Sequence, residues 1–489
     1  MKTHIIYLVS VLAILQGCTA SLEVAPRGYL TSGTFYQNET DAKAALIGAY
    51  SILQEVYRNE HILTPNEICT DNAVPFLTGG PDRVAIWRYS HNTSNLYPGQ
   101  IWSSAYEGIQ YSNVLIDRLP GVSMNEQQKH VFTAEAKFLR ALHYFNLVRF
   151  FGDVPLVKNE TTNLDDVEIP RSPVADVYQF IEEDLLEAAA ALPVNHADND
   201  KGRATAAAAT ALLAKVYLTR AGNTPSSPYW AQAAAKAKEV IDLNRYDLWE
   251  DYADVFALAN RGGKESIFEV QFITDIKGNG FTTGYAPRGA PIVPNNGYGI
   301  FRVTKSLFDS YAANDKRKAV TFLTSYVHPG TGQTVHLSVD DPDPTVAVSF
   351  WKLADPTVRV GLNGGTSWPY LRYAELLLIY AEALNEANNG PTTEAYQALN
   401  RVRKRAGLAE LSGLDKEAFN AAIMLERRLE LCFEGHRWFD LVRRDQLIEA
   451  VKAENSFDRN APITEHHKRF PLPFREIEAN KKLEQNAGY

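Results

Sequence analysis

The residues best suited to acid–base chemistry lie close together near the C-terminus. Glu434, His436 and Asp440 could bring carboxylates and an imidazole to one site, as general acid–base catalysis requires. Their surroundings favour a different role, because the charged residues around them recur at the three- and four-residue spacing of helical ion pairs. Those residues are Arg427, Arg428, Glu430, Glu434 and Arg437. We therefore predict structural ion pairs, with Glu375 and Glu382 of a nearly all-apolar helix as buried partners.

Two further clusters could hold a cation. Residues Glu465–His467 contain two imidazoles, and Asp340, Asp341 and Asp343 offer carboxylates. Neither cluster has the spacing of a zinc helix or a calcium loop, so we predict a solvated loop and a surface turn. No nucleophile elbow, P-loop or dinucleotide fingerprint occurs, and we predict no metal or cofactor. A carboxylate pair for glycoside hydrolysis stays open among the 58 acidic residues.

The N-terminus carries the most specific local signal. An apolar run from Ile5 to Leu15 is too short to span a bilayer and is typical of a secretory signal peptide. Residues 15–18 (Leu-Gln-Gly-Cys) resemble the lipobox of bacterial lipoproteins, in which the signal is cut before a lipidated cysteine. We predict a signal peptide over residues 1–17 and a lipidated Cys18 followed by a tether to residue 38. Acyl chains would then hold the protein on a membrane.

Helical patterns fill most of the remaining chain. Apolar residues recur at helical spacing through residues 39–260 and again over 370–489, with short polar joints between segments. This pattern predicts a mainly α fold of stacked helix pairs, although no strict repeat is found. Residues 261–369 are rich in Gly, Pro, Asn and Thr, with a strand-like pattern at Ser266–Phe272. We expect the binding surface in this loop-rich region.

The charge balance excludes one class of partner. The formal net charge is −9, which offers no electrostatic basis for binding nucleic acid. An uncharged ligand is compatible with this balance but is not established by it.

Four segments form one ordered set behind the predicted lipobox: Phe138–Val157, Leu371–Glu386, Glu426–Arg443 and Phe470–Tyr489. In sequence and order they resemble the signatures of the SusD/RagB proteins of Bacteroidetes outer membranes. The resemblance covers nearly the whole chain. It implies a mainly α fold with four tetratricopeptide-like units and a variable, loop-rich, partly β side that carries the ligand.

The same resemblance implies a function. Proteins of this family capture oligosaccharides or other nutrients without catalysis, as lids on SusC-type TonB-dependent transporters. The implied protein is lipid-anchored at the outer membrane, faces the exterior, and has a glycan and a SusC-type transporter as partners. Two alternatives stay open: a surface glycosidase, and a tetratricopeptide-like scaffold that binds only protein.

A glycan site of this kind needs exposed flat rings that can cover the apolar face of a sugar. Trp102, Trp230 and Trp438 fall on apolar helical stripes and are predicted to be core residues. The stretch from Phe76 to Gly99 is predicted to be a loop, and its polar residues could bond sugar hydroxyls. The predicted ligand contacts are Trp87, Arg88, Asn92, Tyr298, Trp351 and Trp368.

Overall fold

The computed structural model describes residues 35–58, 60–163, 167–454 and 459–489 of the protein. The predicted signal peptide, the lipidated Cys18 and most of the predicted tether lie outside these ranges. Within them, helices dominate and the strands are short. None of the described helices combines the length and apolarity that crossing a membrane would require.

The N-terminal part is a succession of helices whose starts are set by polar caps. The side chains of Asn38, Asn95 and Asn125 each accept a hydrogen bond from a backbone N–H of the first turn. The helices are α1 (Glu39–Tyr57), α2 (Glu60–Ile68), α3 (Pro81–Trp87), α4 (Leu96–Arg118), α5 (Glu126–Phe151), α6 (Val174–Ala191), α7 (Ala206–Ala221) and α8 (Tyr229–Ile241).

Short helices and strands make up the middle of the chain. The helices are α9 (Phe281–Tyr285), α10 (Lys305–Ser310) and α11 (Arg317–Thr321). The strands are β1 (Ala73–Pro75), β2 (Val154–Pro155), β3 (Arg171–Ser172), β4 (Ser266–Val270), β5 (Phe301–Val303), β6 (Phe322–Leu323), β7 (Ser325–Val327), β8 (Thr334–His336), β9 (Ser349–Phe350) and β10 (Trp368–Arg372). They form antiparallel pairs: β1 with β5, β2 with β3, β4 with β10, β6 with β9, and β7 with β8.

The C-terminal part is helical again. Its helices are α12 (Tyr373–Ala387), α13 (Thr393–Arg405), α14 (Lys416–Glu430), α15 (Arg437–Arg443), α16 (Leu447–Ala453) and α17 (Phe474–Ala479). Strand β10 runs directly into α12, and its partner β4 opens the loop-rich region. The loop-rich region therefore leaves and rejoins the helical body at one place, the β4–β10 pair. The predicted strand at Ser266–Phe272 is confirmed by β4.

Helices that follow each other in the chain pack side by side. Helix α4 packs on α1 and α5, α5 on α6, α6 on α7, and α7 on α8; α8 then packs on α12, which packs on α13 and α14. Buried alanines such as Ala211 and Ala237 let α7 and α8 approach closely. This succession confirms the predicted mainly α fold of tetratricopeptide-like helix pairs.

One predicted loop is wrong. The stretch from Phe76 to Gly99 contains helix α3 and the first turn of α4. Pro81 stands in the first turn of α3, where its missing N–H costs nothing, and Gly80 precedes it with a φ of 78°. The glycines and proline that suggested a loop instead begin a helix.

Candidate functional site

Trp87 is not a ligand contact, which corrects the prediction. Its side chain is 1% exposed, because it is the last residue of α3 and points into the core. The Arg459 guanidinium lies 5.6 Å from the Trp87 ring centre, and its Nε donates to the Trp87 carbonyl oxygen at 2.9 Å. A ring sealed in this way cannot stack on a sugar.

Trp368 is also a core residue and not a ligand contact. It is 2% exposed in strand β10 and stacks on Tyr57 with ring centres 5.5 Å apart. The residue before a proline favours an extended backbone, which here places Trp368 in the β4–β10 pair. The core positions predicted for Trp102, Trp230 and Trp438 are confirmed.

The other predicted contacts lie at or near the surface. Tyr298 is half-buried and lines a cavity, and the exposed Arg88 lines an adjacent one. Asn92 is exposed, but its side-chain oxygen accepts a hydrogen bond from Ser94 N–H at 3.0 Å and it lines neither cavity. Trp351 is half-buried and also lines neither cavity. Of the predicted set, Tyr298 and Arg88 line two cavities that share Gly79 and Gly80.

The cavity beside Tyr298 is assembled from segments that are far apart in the chain. Strand β1 pairs with β5, and the Phe76 N–H continues the ladder by donating to the Ile300 carbonyl at 3.1 Å. This pairing sets the loop after β1 against the loop before β5. Between them lies a cavity of about 420 Å³ lined by His61, Phe76, Gly79, Gly80, Arg83, Gly280, Tyr285, Arg288, Tyr298, Ile300 and Leu362.

The chain reverses direction between Ala286 and Gly299, and this tight reversal holds Arg288 beside Tyr298. Gly289 N–H donates to the Gly297 carbonyl at 2.7 Å, and Gly299 N–H donates to the Ala286 carbonyl at 2.9 Å. Gly299 has a φ of 57°, and a Cβ there would lie 2.9 Å from the Arg288 nitrogen. Only glycine allows the two segments to approach this closely. The backbone therefore presents Arg288 and Tyr298 to the same cavity.

The cavity has an aromatic floor and a basic wall. Tyr285 is buried and packs between Phe281 and Phe301, with ring centres 5.9 Å and 5.4 Å away. The Arg288 guanidinium lies 4.3 Å from the centre of the half-buried Phe76 ring, a cation–π contact. Arg83 Nη1 donates to the Gly79 carbonyl at 3.3 Å, which aligns it along the loop. No lining residue of this cavity is acidic.

A second cavity adjoins the same loop. Its volume is about 390 Å³, and Gly79 and Gly80 line both cavities. The remaining lining residues are Leu77, Thr78, Pro81, Val84, Ala85, Arg88 and Ser90. We call the two cavities together the loop site. Together they offer a ligand the rings of Tyr298 and Phe76 and the side chains of Arg83, Arg88 and Arg288.

Sequence reasoning missed most of the loop site. His61, Phe76, Arg83 and Arg288 were not predicted, because no local pattern shows that β1 and β5 pair. The available signals were the Thr78–Pro81 turn and the Tyr285–Tyr298 stretch, each rich in glycine or proline and each next to an arginine. The sequence indicated that the turn is polar, but the ligand contact was predicted at Trp87, which follows the turn.

Another groove lies between α1, β4 and residues 199–203, and its two main charged residues, Glu269 and Arg203, already have partners. Glu269 accepts hydrogen bonds from Gly262 N–H and the Ser266 hydroxyl, at 3.0 and 2.9 Å. Arg203 pairs with Glu135 and Asp200. Among the rings of this groove, Phe268 is buried, and the Tyr50 hydroxyl is already bonded to Glu135 and to the Ala204 N–H. We therefore prefer the loop site.

The acid–base candidates form buried ion pairs, as predicted. Glu434 accepts from Arg372 Nε at 2.7 Å and pairs with Lys352 at 2.6 Å. Asp440 accepts from Arg427 Nε at 2.8 Å, and although burial opposes ionisation, the neighbouring arginines lower its pKa to about 2. Burial and the adjacent Lys215 hold the pKa of His436 well below its ordinary value. A permanently charged acid and a neutral, enclosed histidine fit a structural role.

The two histidines near the C-terminus are only partly in a loop. Residues Glu465–Lys468 form a single 3-10 turn, and His467 is buried against His91, with ring centres 5.9 Å apart. The prediction of a solvated loop is wrong for His467, because the C-terminal residue Tyr489 covers the turn and donates to the Arg469 carbonyl at 3.0 Å. Among the described residues, no three metal-ligating side chains are grouped to hold an ion.

Comparison with known proteins defines the family. The SusD family matches residues 345–489, and the family described as starch-binding associating with outer membrane matches residues 30–218. The chain belongs to the SusD family.

Relatives match along nearly the whole chain. SusD-like protein P25 of Formosa agariphila is 29% identical, with 96% of each chain covered. A solved laminarin-binding SusD-like protein is 29% identical with a TM-score of 0.79, covering 93% of this chain and 100% of that one. A SusD superfamily protein from Parabacteroides distasonis is 28% identical with a TM-score of 0.81, covering 94% and 100%.

Proposed function

We propose that the protein is a non-catalytic glycan-binding lipoprotein of the outer membrane and that the loop site binds its ligand. The single observation that carries this proposal is the loop site itself, an open cavity with the rings of Tyr298 and Phe76 beside arginine donors. Rings cover the apolar face of a sugar, while guanidinium groups donate to its oxygens.

The relatives support the same class of ligand. One matching family is described as starch-binding, and one similar solved protein binds laminarin. Both ligands are glycans. The absence of an exposed acid–base pair at the candidate catalytic residues agrees with binding without turnover, since Glu434 and Asp440 are buried in ion pairs.

The remaining parts of the proposal concern location and partner. Cys18 carries the lipid, the protein faces the exterior of the outer membrane, and it delivers the glycan to a SusC-type TonB-dependent transporter. The family described as associating with the outer membrane supports the location. Isolation of the native protein from membranes tests both points: we expect a diacylated Cys18 by mass spectrometry and co-purification of a large β-barrel protein.

A glycan screen tests the binding function. A soluble form beginning at Thr19 keeps every described element and is screened against neutral and charged oligosaccharides. We expect binding without release of reducing ends, and Tyr298→Ala weakens it about tenfold, a loss of about 1.4 kcal/mol. The matched control is Tyr326→Ala, a half-buried tyrosine in β7 outside both cavities. Release of reducing sugar would instead identify a glycosidase, and no binding to any glycan would favour a protein-only scaffold.

A further inference from the structure

We propose that the glycan recognised by the loop site is anionic, a saccharide that carries carboxylate or sulfate groups. This inference rests on the proposed function and narrows it. It comes from the charges that line the two cavities. The basic lining residues are His61, Arg83, Arg88 and Arg288, and neither cavity has an acidic lining residue.

The charge of this lining differs from the charge of the chain as a whole. The chain has 58 acidic and 49 basic side chains and a net charge of −9. A surface sampled at random from it would therefore contain at least as many acids as bases. Neutral glycans are bound with acids and amides as well as arginines, because hydroxyls both donate and accept hydrogen bonds. Guanidinium groups only donate, so the arginines of this lining complement a ligand that mostly accepts.

Arg288 is the strongest part of this argument. It is exposed, and among the described residues no carboxylate pairs with its guanidinium. Its guanidinium lies over the face of Phe76, and Arg288 lines the cavity. Arg88 is also exposed and makes a looser contact, with its guanidinium 5.8 Å from the centre of the Trp87 ring. Arginines fixed on rings are ready to bind an oxyanion through two parallel hydrogen bonds.

An acidic turn lies beside this wall but outside both cavities. Arg288 N–H donates to the Pro344 carbonyl at 3.1 Å, so the turn with Asp341 and Asp343 lies nearby. Asp341 accepts from Asp343 N–H at 2.9 Å, and Asp343 accepts from Thr345. These carboxylates line neither cavity, and Asp341 also acts electrostatically on Arg302.

Paired glycans that differ only in charge test the inference. The full chain, in a detergent without a sugar headgroup, is titrated with oligogalacturonate and its carboxyl-reduced form, and with chondroitin sulfate oligosaccharides and their desulfated form. We expect the charged member of at least one pair to bind about tenfold or more tightly than its neutralised twin. Its affinity should fall as salt is raised. The pair that discriminates identifies carboxylate or sulfate as the recognised group.

Variants tie the preference to the loop site. Arg288→Gln should lose about tenfold in affinity for the charged glycan and weaken its salt dependence, while Arg288→Lys should keep part of both. The control is Arg475→Gln, an exposed arginine of α17 that lines neither cavity.

The outcomes separate this inference from the proposed function. Equal binding of charged and neutralised twins, or preference for a neutral glycan, overturns the anionic ligand and leaves glycan binding intact. Unchanged charge preference in Arg288→Gln overturns the role of the loop site. No binding to any glycan, charged or neutral, overturns both proposals.

Discussion

Arginine side chains have different partners in two regions of this protein, the core and the loop site. In the C-terminal core, Arg372 donates to Glu265, Glu430 and Glu434, and Arg317 donates to Asp315, Glu426 and Glu430. At the loop site, Arg88 and Arg288 contact rings and pair with no carboxylate of the described chain. The arginines of the core form ion pairs that belong to the fold, whereas those of the loop site are available to a ligand.

The difference lies in burial and in the partners, not in the residue type. Burial alone would lower the pKa of Arg372, yet Glu434 and Glu430 raise it well above its ordinary value. Burial alone would raise the pKa of Glu430, yet Arg405, Arg372 and Arg317 hold it well below. Each charge in the core is tolerated because its partners replace water. An exposed arginine keeps its water and can exchange it for an anion.

Breaking the core network should have the largest effect. Arg372→Met leaves Glu265, Glu430 and Glu434 buried with fewer partners, which costs about 3–5 kcal/mol of unfolding free energy. Urea unfolding measures this loss. Arg288→Met is the matched control, with a change within about 0.5 kcal/mol. Equal effects of the two variants would show that the comparison between the regions is wrong.

Removing the Trp87 ring should destabilise the protein nearly as much. Trp87→Ala empties a fully buried position and should cost about 3–5 kcal/mol. Tyr298→Ala should cost much less stability and mainly affect glycan affinity. Thermal unfolding and glycan titration of both variants distinguish them. A stable Trp87→Ala variant that fails to bind glycan would restore Trp87 as a contact.

A buried ionisable group without partners should be neutral, and His143 tests this. The imidazole ring of His143 on α5 packs against Gly108 of α4, where the missing Cβ leaves room for it. Neither nitrogen of this ring has a hydrogen-bond partner among the described residues. Burial lowers the pKa of His143 to about 4. The unfolded chain binds this proton at about pH 6.5, so the unfolded state holds more protons between these values. Stability is therefore lost as the pH falls from about 6.5 to about 4, by on the order of 3 kcal/mol.

The measurement is urea unfolding across this pH range. His143→Leu should reduce the pH dependence relative to the native chain. Part of it should persist, because the other histidines remain. His130→Leu, at an exposed position of the same helix, should leave it unchanged. An unaltered acid slope in His143→Leu would contradict the assignment.

The smallest effect is expected at Trp351. Trp351→Ala removes a half-buried ring that lines neither cavity, so glycan affinity should stay within about twofold, under about 0.5 kcal/mol. Calorimetric titration with the best glycan measures it beside Tyr298→Ala. A tenfold loss would extend the binding surface from the loop site toward β9.

The helical body was predictable because its signals are local. Apolar spacing predicts α5 and α12. The charged residues around Glu430 indicated structural ion pairs, but helical spacing did not predict the partners, because Glu430 pairs with Arg317, Arg372 and Arg405 of other elements. The loop site was only half predictable. Tyr298 and Arg88 were found by their polar, glycine-rich surroundings, but the same reasoning chose Trp87 and Trp368, whose surroundings look similar in sequence. Exposure in a loop depends on what the rest of the chain lays over it.

The sequence by itself determined the helical segments and the family signatures, because each depends on neighbours within a few residues or on an ordered set of motifs. The pairing of charges in the core was decided by the tertiary structure, since Glu434 meets Arg372 and Glu430 meets Arg317 across different elements. Only the tertiary structure decided which rings and arginines face water. The β1–β5 pair joins segments more than two hundred residues apart along the chain, and the close approach at Gly299 sets Arg288 beside Tyr298. Pairings at such distance leave no periodic trace, so the site they build could be recognised only once the chain was folded.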